Sequence, residues 1–149
     1  MPDSYMGPLR TERFEVEIDD VDAVGFKKVD LPSQSTQMNE YREGTDPIWP
    51  RQLWGQTQYE DLTLERGAKK GDMALYEWRK LVVDGKMEEA RSDIAVSVLN
   101  SIGEATMRFE FVDAWPKEYQ PPTLQAGGSG GDVATETIVV TYNEMQRTE

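Results

Sequence analysis

Alternation of apolar and polar residues with a period of two recurs along the chain, while a helical period is carried by one segment only. Phe14, Val16 and Ile18 alternate with Arg13, Glu15 and Glu17, the pattern of a strand with one buried face. Further strands fit Val24 to Leu31, halted by Pro32, then Ser35 to Arg42, and Gln58 to Arg66 with Leu62 and Leu64 on one face. In Ser92 to Leu99 the alternating set is Ile94, Val96 and Val98; in Glu104 to Asp113 it is Ala105, Met107, Phe109 and Phe111. Asn100-Ser101-Ile102-Gly103 between these two has the composition of a tight hairpin turn. A last strand fits Ala134 to Tyr142, with Ala134, Glu136, Ile138, Val140 and Tyr142 on one face.

The helical segment lies between Lys70 and Asp84. Leu75, Trp78, Leu81 and Val82 recur at three- and four-residue steps and share one face. Asp72 is placed to cap its start, and Gly85 to end it in the left-handed conformation.

The remaining stretches read as connections. Residues 43–57 hold the strand breakers Gly44, Pro47, Pro50 and Gly55 beside Ile48, Trp49, Leu53 and Trp54. Strand, apolar loop, strand gives an extended β-hairpin over Ser35 to Arg66. Residues 115–124, with Pro116, Pro121 and Pro122, read as a loop, and Gly127 to Gly131 as a flexible one that lacks the Lys-Ser/Thr end of a P-loop. Residues 1–11 read as an N-terminal arm and 12–149 as a single domain. The expected fold is mainly β (α+β): a β-sandwich or small β-barrel of about seven strands, with one α-helix at about 72–84 and the hairpin.

Charge and composition narrow the chemistry. With 28 Asp and Glu against 16 Lys and Arg, the formal net charge is −12. Such a surface repels phosphate backbones and anionic bilayers, which argues against direct nucleic-acid binding and membrane anchoring. It also fits a protein kept soluble in high salt. The chain has no His and no Cys, so Ser–His and Cys–His nucleophiles and zinc sites of those ligands are excluded. Asp19, Asp20 and Asp22 lack the spacing of a calcium loop and read as a turn. No catalytic residue, metal site or cofactor is expected. Paired carboxylates leave a glycan-binding or hydrolytic β-sandwich as an alternative. Met1 to Arg10 shows no basic start followed by an apolar run, so the expectation is assembly in the cytoplasm without a signal peptide, with release as part of a larger particle.

The order of short segments carries a resemblance. It begins with Phe14-Glu15-Val16-Glu17-Ile18, Gly25-Phe26-Lys27-Lys28-Val29 and Glu40-Tyr41-Arg42-Glu43-Gly44. Asp61-Leu62-Thr63-Leu64-Glu65-Arg66-Gly67 and Leu75-Tyr76-Glu77-Trp78 follow, then Val96-Ser97-Val98-Leu99-Asn100, Asp113-Ala114-Trp115-Pro116 and Val133-Ala134-Thr135-Glu136-Thr137-Ile138. In this order and spacing, over residues 12–147, the chain resembles the inner-tube proteins of contractile phage tails and extracellular contractile injection systems. Gly127 to Gly131 and Ile48 to Trp54 depart from the pattern.

The resemblance implies hexameric rings stacked into a rigid hollow tube. The partners it implies are further copies of the chain, a sheath around the tube, baseplate or tube-initiator proteins, and protein or DNA cargo in the lumen. A tube-initiating paralogue in the baseplate and a monomeric binding module are the alternatives. Tyr41, Ile48, Trp49, Leu53, Trp54 and Trp115 are the candidate subunit-interface residues, since exposed apolar loops are hazardous in a monomer and Trp is enriched at binding hot spots.

Overall fold

A computed structural model describes residues 13–41, 51–124, 126 and 133–149. Among them run β1 (Phe14–Ile18), β2 (Phe26–Asp30), β3 (Gln34–Tyr41), β4 (Arg51–Tyr59) and β5 (Leu62–Gly67). The helices α1 (Ala74–Val83) and α2 (Met87–Ala90) follow, then β6 (Ser92–Leu99), β7 (Ala105–Gln120), β8 (Thr135–Thr141) and β9 (Glu144–Arg147). Seven strands form one antiparallel sheet in the order β1-β6-β7-β8-β5-β2, with β9 added against β7. The strands β3 and β4 form a separate two-stranded sheet, a hairpin shorter than the one expected over Ser35 to Arg66: its second strand is Arg51–Tyr59, and Leu62–Gly67 is instead β5 of the large sheet, paired with β2 and β8.

The fold is mainly β as expected, but it is not a closed barrel. β1 and β2 end the strand order and do not pair with each other. The long strand β7 joins the two halves of the sheet: its first half pairs with β6 and β9 and its second half with β8. At the changeover Asp113 adopts φ 53°, and its carboxylate accepts a bond from the Asn143 side chain at 3.2 Å. The β6–β7 register also shifts here, between Ser92 and Ile94, a β-bulge at the point where β7 changes partners. Ile18, Ile94, Val96 and Phe111 from one half then meet Leu62, Leu64, Ile138 and Val140 from the other, and Leu75 and Trp78 of α1 complete the same core.

Two stretches with the composition of loops are strands. β7 continues through Pro116 to Gln120, where among the described residues it has a strand partner on one side only, an edge position that tolerates Pro. Pro116 is buried, its carbonyl accepts a bond from Arg79 Nη1 at 3.2 Å, and the register slips between Pro116 and Glu118. β4 begins at Arg51 despite Gly55. Thr36 pairs with Thr57 and Met38 with Trp54, so Gly55 and Gln56 stand opposite Gln37 alone. Gly55 thus marks a β-bulge rather than a strand end.

The helix is shorter than expected at its start. Met73 occupies the cap position without a side-chain bond, while Asp72 accepts the Ala74 amide at 3.3 Å and turns mainly toward Arg66. Its end is as expected: Gly85 has φ 79°, and the amides of Gly85 and Lys86 donate to the carbonyls of Val82 and Leu81. The Asn100–Gly103 turn also forms, with Asn100 Oδ1 accepting the amides of Ile102 and Glu104. The four-residue elements α2 and β9 are too short to carry a periodic signal. The N-terminal arm and Gly127 to Gly131 lie outside the described residues.

Candidate assembly surfaces

Among the described residues the β3–β4 hairpin pairs only with itself, joined at its base by the Glu60 amide donating to the Ser33 carbonyl at 3.0 Å. Thr36 and Thr57 share a hydroxyl bond of 3.0 Å across it. A two-stranded ribbon is marginal in water without something to cover it. The outer edges of β3 and β4 therefore ask for a partner.

The candidate interface residues are not all brought together. Tyr41 stands opposite Arg51, Leu53 opposite Asn39 and Trp54 opposite Met38, all within the hairpin. Ile48 and Trp49 lie outside the described residues. Trp115 belongs to the seven-stranded sheet, half-buried and paired with Thr141.

A polar cluster that no sequence motif singles out lies beneath one end of that sheet. Leu62, Leu64 and Arg66 occupy successive inward positions of β5, and Arg66 is 1% exposed. Its Nε donates to Glu136 Oε1 at 2.6 Å, and Nη1 and Nη2 donate to the two oxygens of Asp72 at 3.0 Å each. Nη1 also reaches the Val24 carbonyl at 3.4 Å, and the guanidinium sits 6.0 Å over the Phe26 ring. Glu136 stands directly opposite Arg66 in the β5–β8 register, and its other oxygen accepts the Tyr119 hydroxyl at 2.8 Å. The planar fork of Arg suits two carboxylates at once, so the cluster stitches β5, β8, β7, the β1–β2 connection and the start of α1 together.

The electrostatics follow from that geometry. Burial works against the Arg66 charge more than any other single influence, but the bonds to Asp72 and Glu136 together outweigh it and raise its pKa. The Arg66 bond holds the Asp72 carboxyl below its ordinary value, helped by the Ala74 amide. Burial, then the bond to Glu136, pushes the Tyr119 phenol up to about 12. Tyr142 is pushed to about 12 by burial and by the nearby Asp61 charge; its ring packs edge-on against Phe111 at 4.9 Å. A signal for the cluster does exist: Arg66 and Glu136 each fall on an otherwise apolar period-two stripe, a place where charge needs a partner.

These phenols make a testable prediction. Both ionise near 10 in the unfolded chain and near 12 when folded. Their stabilisation is therefore full below pH 10 and is lost as pH rises toward 12. Ultraviolet titration should show a late phenolate step of two residues, and Tyr119→Phe should remove one of them. Phenolate formation complete well below pH 12 in the folded protein would contradict this.

A depression of about 220 Å³ between β1, β6 and β7 is lined by Glu17, Asp19, Asp93, Arg108 and Glu110, charged groups on an open sheet face. Among the described residues no group of three or more carboxylates is placed to hold a metal ion, and no helix is long and apolar enough to cross a membrane.

Solved structures share this fold. A chain of the sheath–tube complex of the extracellular contractile injection system PVC, in its extended state, is similar with a TM-score of 0.80 at 24% identity, over 95% of this chain and 91% of that one. A chain in the baseplate of the anti-feeding prophage gives 0.78 at 19%, over 96% and 97%. Hcp1 from Flavobacterium johnsoniae gives 0.55 at 16%, over 91% and 94%. At these identities the likeness is one of fold. No curated protein matches the chain in sequence. The family model of the T4-like virus tail tube protein gp19, however, matches residues 10–146, nearly the whole length. An open β-sheet and a match of that extent lead to one conclusion: the chain belongs to the T4-like virus tail tube protein family.

Proposed function

We propose that this chain is the structural subunit of hexameric rings that stack into the rigid hollow inner tube of a contractile injection system or phage tail. The tube is the conduit and the puncturing shaft, driven by contraction of a surrounding sheath. The observation that carries this reading is the tail tube family match over residues 10–146. The hairpin and the open sheet edges support it, because a ring needs one surface that fits a different surface of the next copy. Nine residues of strand give the hairpin a length of about 30 Å, enough to leave its own subunit. Similar chains come from complexes described as a sheath–tube complex, a baseplate and a tube-terminating cap, which supports a sheath and baseplate or initiator proteins as partners. Protein or DNA cargo would pass through the lumen. A chain without His or Cys suits such a passive role.

Negative-stain microscopy and native mass spectrometry of the purified chain test the reading. Six-fold rings or tubes are the expected result, and a uniform monomer at high concentration would refute it. Tyr41, Ile48, Trp49, Leu53, Trp54 and Trp115 are the interface residues of this proposal. Replacing Trp49 and Trp54 together with Ala should abolish assembly while the monomer still melts cooperatively. A fall in monomer stability of about 3–5 kcal/mol per Trp would instead assign the rings to the subunit's own core.

A further inference from the structure

We infer that Tyr142 is the residue that sets the angle of the β3–β4 hairpin against the rest of the subunit, and so positions it for the next copy of the chain. This rests on the tube reading and names what holds the reaching element in place. The hairpin continues another ladder. Asp30 stands opposite Thr63 in the β2–β5 pair and Gln34 opposite Tyr59 in the β3–β4 pair, so one register runs through both. Between them the Glu60 amide donates to the Ser33 carbonyl at 3.0 Å. That register sets Pro32 opposite Asp61, where the ribbon is interrupted. Proline has no amide hydrogen to offer a ladder, so the ribbon has a joint there.

A joint at the root matters because of the reach beyond it. Among the described residues the hairpin pairs only with itself, and its strands extend about 30 Å. Play of about 10° at the root moves the tip by about 5 Å. A well-made binding contact holds its groups to about 0.5 Å.

Two groups brace the joint. Lys117 of β7 pairs with Asp61, but the two side chains are 46% and 34% exposed, and a solvated ion pair fixes little. Tyr142, directly after β8, reaches out from the core. Its ring meets the fully buried Phe111 edge-on at 4.9 Å. It also lies 6.0 Å from the ring of Tyr59, the last residue of β4. Its hydroxyl donates to the Glu60 carbonyl at 2.8 Å. With two rotatable side-chain bonds and a core ring against it, Tyr142 has little freedom. The first rung of the hairpin is thereby tied to Phe111 through one side chain. Preordering of this kind lowers what association must spend on immobilising the hairpin.

The test is Tyr142→Phe in the full chain, which keeps the ring and removes the bond. Because the chain has no cysteine, spin labels on Met38→Cys and Val83→Cys, both exposed positions, report the distance from hairpin to α1. The labelled monomer, diluted below assembly, should give a narrow distance distribution that Tyr142→Phe broadens by about 5 Å. Unlabelled Tyr142→Phe should melt within about 4 °C of wild type, yet need about tenfold more protein to form rings. Lys117→Ala should leave the distribution narrow. An unbroadened distribution in Tyr142→Phe overturns the assignment, and so do rings formed at the wild-type concentration. Equal broadening by Lys117→Ala overturns it too, since Tyr142 would then not be what sets the angle. A wild-type chain that forms no rings counts against the tube reading itself, while the distances still test the brace.

Discussion

Arg66→Met should lower the stability of the monomer by about 3–5 kcal/mol, because it leaves buried acid without its counter-charge. Glu136 is 5% exposed and loses the 2.6 Å bond that neutralises it. Asp72 loses both arms of the fork, but it lies nearer to solvent and can be rehydrated. The Val24 carbonyl loses its side-chain donor as well. The damage should come from the stranded charge rather than from lost packing, since Met keeps much of the aliphatic volume. The second variant separates the two: Arg66→Met with Glu136→Met should recover most of the loss, as buried ion pairs replaced by apolar residues of similar size often do. The Tyr119 hydroxyl, then without Glu136, keeps the recovery from being complete. Urea denaturation measures both. An Arg66→Met protein within about 1 kcal/mol of wild type would mean that the cluster contributes no more than a surface pair does.

Trp78→Ala should cost about 3–5 kcal/mol through the cavity it opens. The ring is 2% exposed on the inner face of α1, between that helix and the folded sheet. Its Nε1 donates to the Ala90 carbonyl at 2.7 Å, which fastens α2 and the start of β6 to α1. Trp78→Phe isolates the bond: it fills most of the space but leaves a buried carbonyl without its donor, at about 1–3 kcal/mol. Both variants should lose assembly only as far as the monomer unfolds. Rings lost at a temperature where the Trp78→Phe monomer is still folded would show that α1 itself makes a subunit contact.

Where a local rule is strong, the chain declares its structure. The alternation in Phe14–Ile18, Ser92–Leu99 and 134–142 places strands within a residue or two of where they form. Gly85 ends α1 because few other residues adopt φ 79° without strain. The segments that carry the resemblance also hold the polar cluster: Arg66 lies in the 61–67 segment and Glu136 in the 133–138 segment. The absence of His and Cys limits the chemistry through composition alone, however the chain folds.

Other features depend on what a residue meets across the fold. Pro116 looks like a strand breaker until the strand is found to have, among the described residues, a partner on one side only. Gly55 looks like the middle of a loop until its register against Gln37 shows a bulge. Asp72 has the place and type of a helix cap, yet a charge-assisted fork outcompetes a single amide bond, so it serves Arg66 first. Sandwich and barrel have the same alternation, and the open sheet is decided by the strand pairing, in which β1 and β2 end the order without meeting. Sequence period tells which side of a strand is buried. What lies on that side, whether an apolar core, a counter-charge or the next copy of the chain, is set by contacts between residues as distant as Arg66 and Glu136, and no local pattern encodes those.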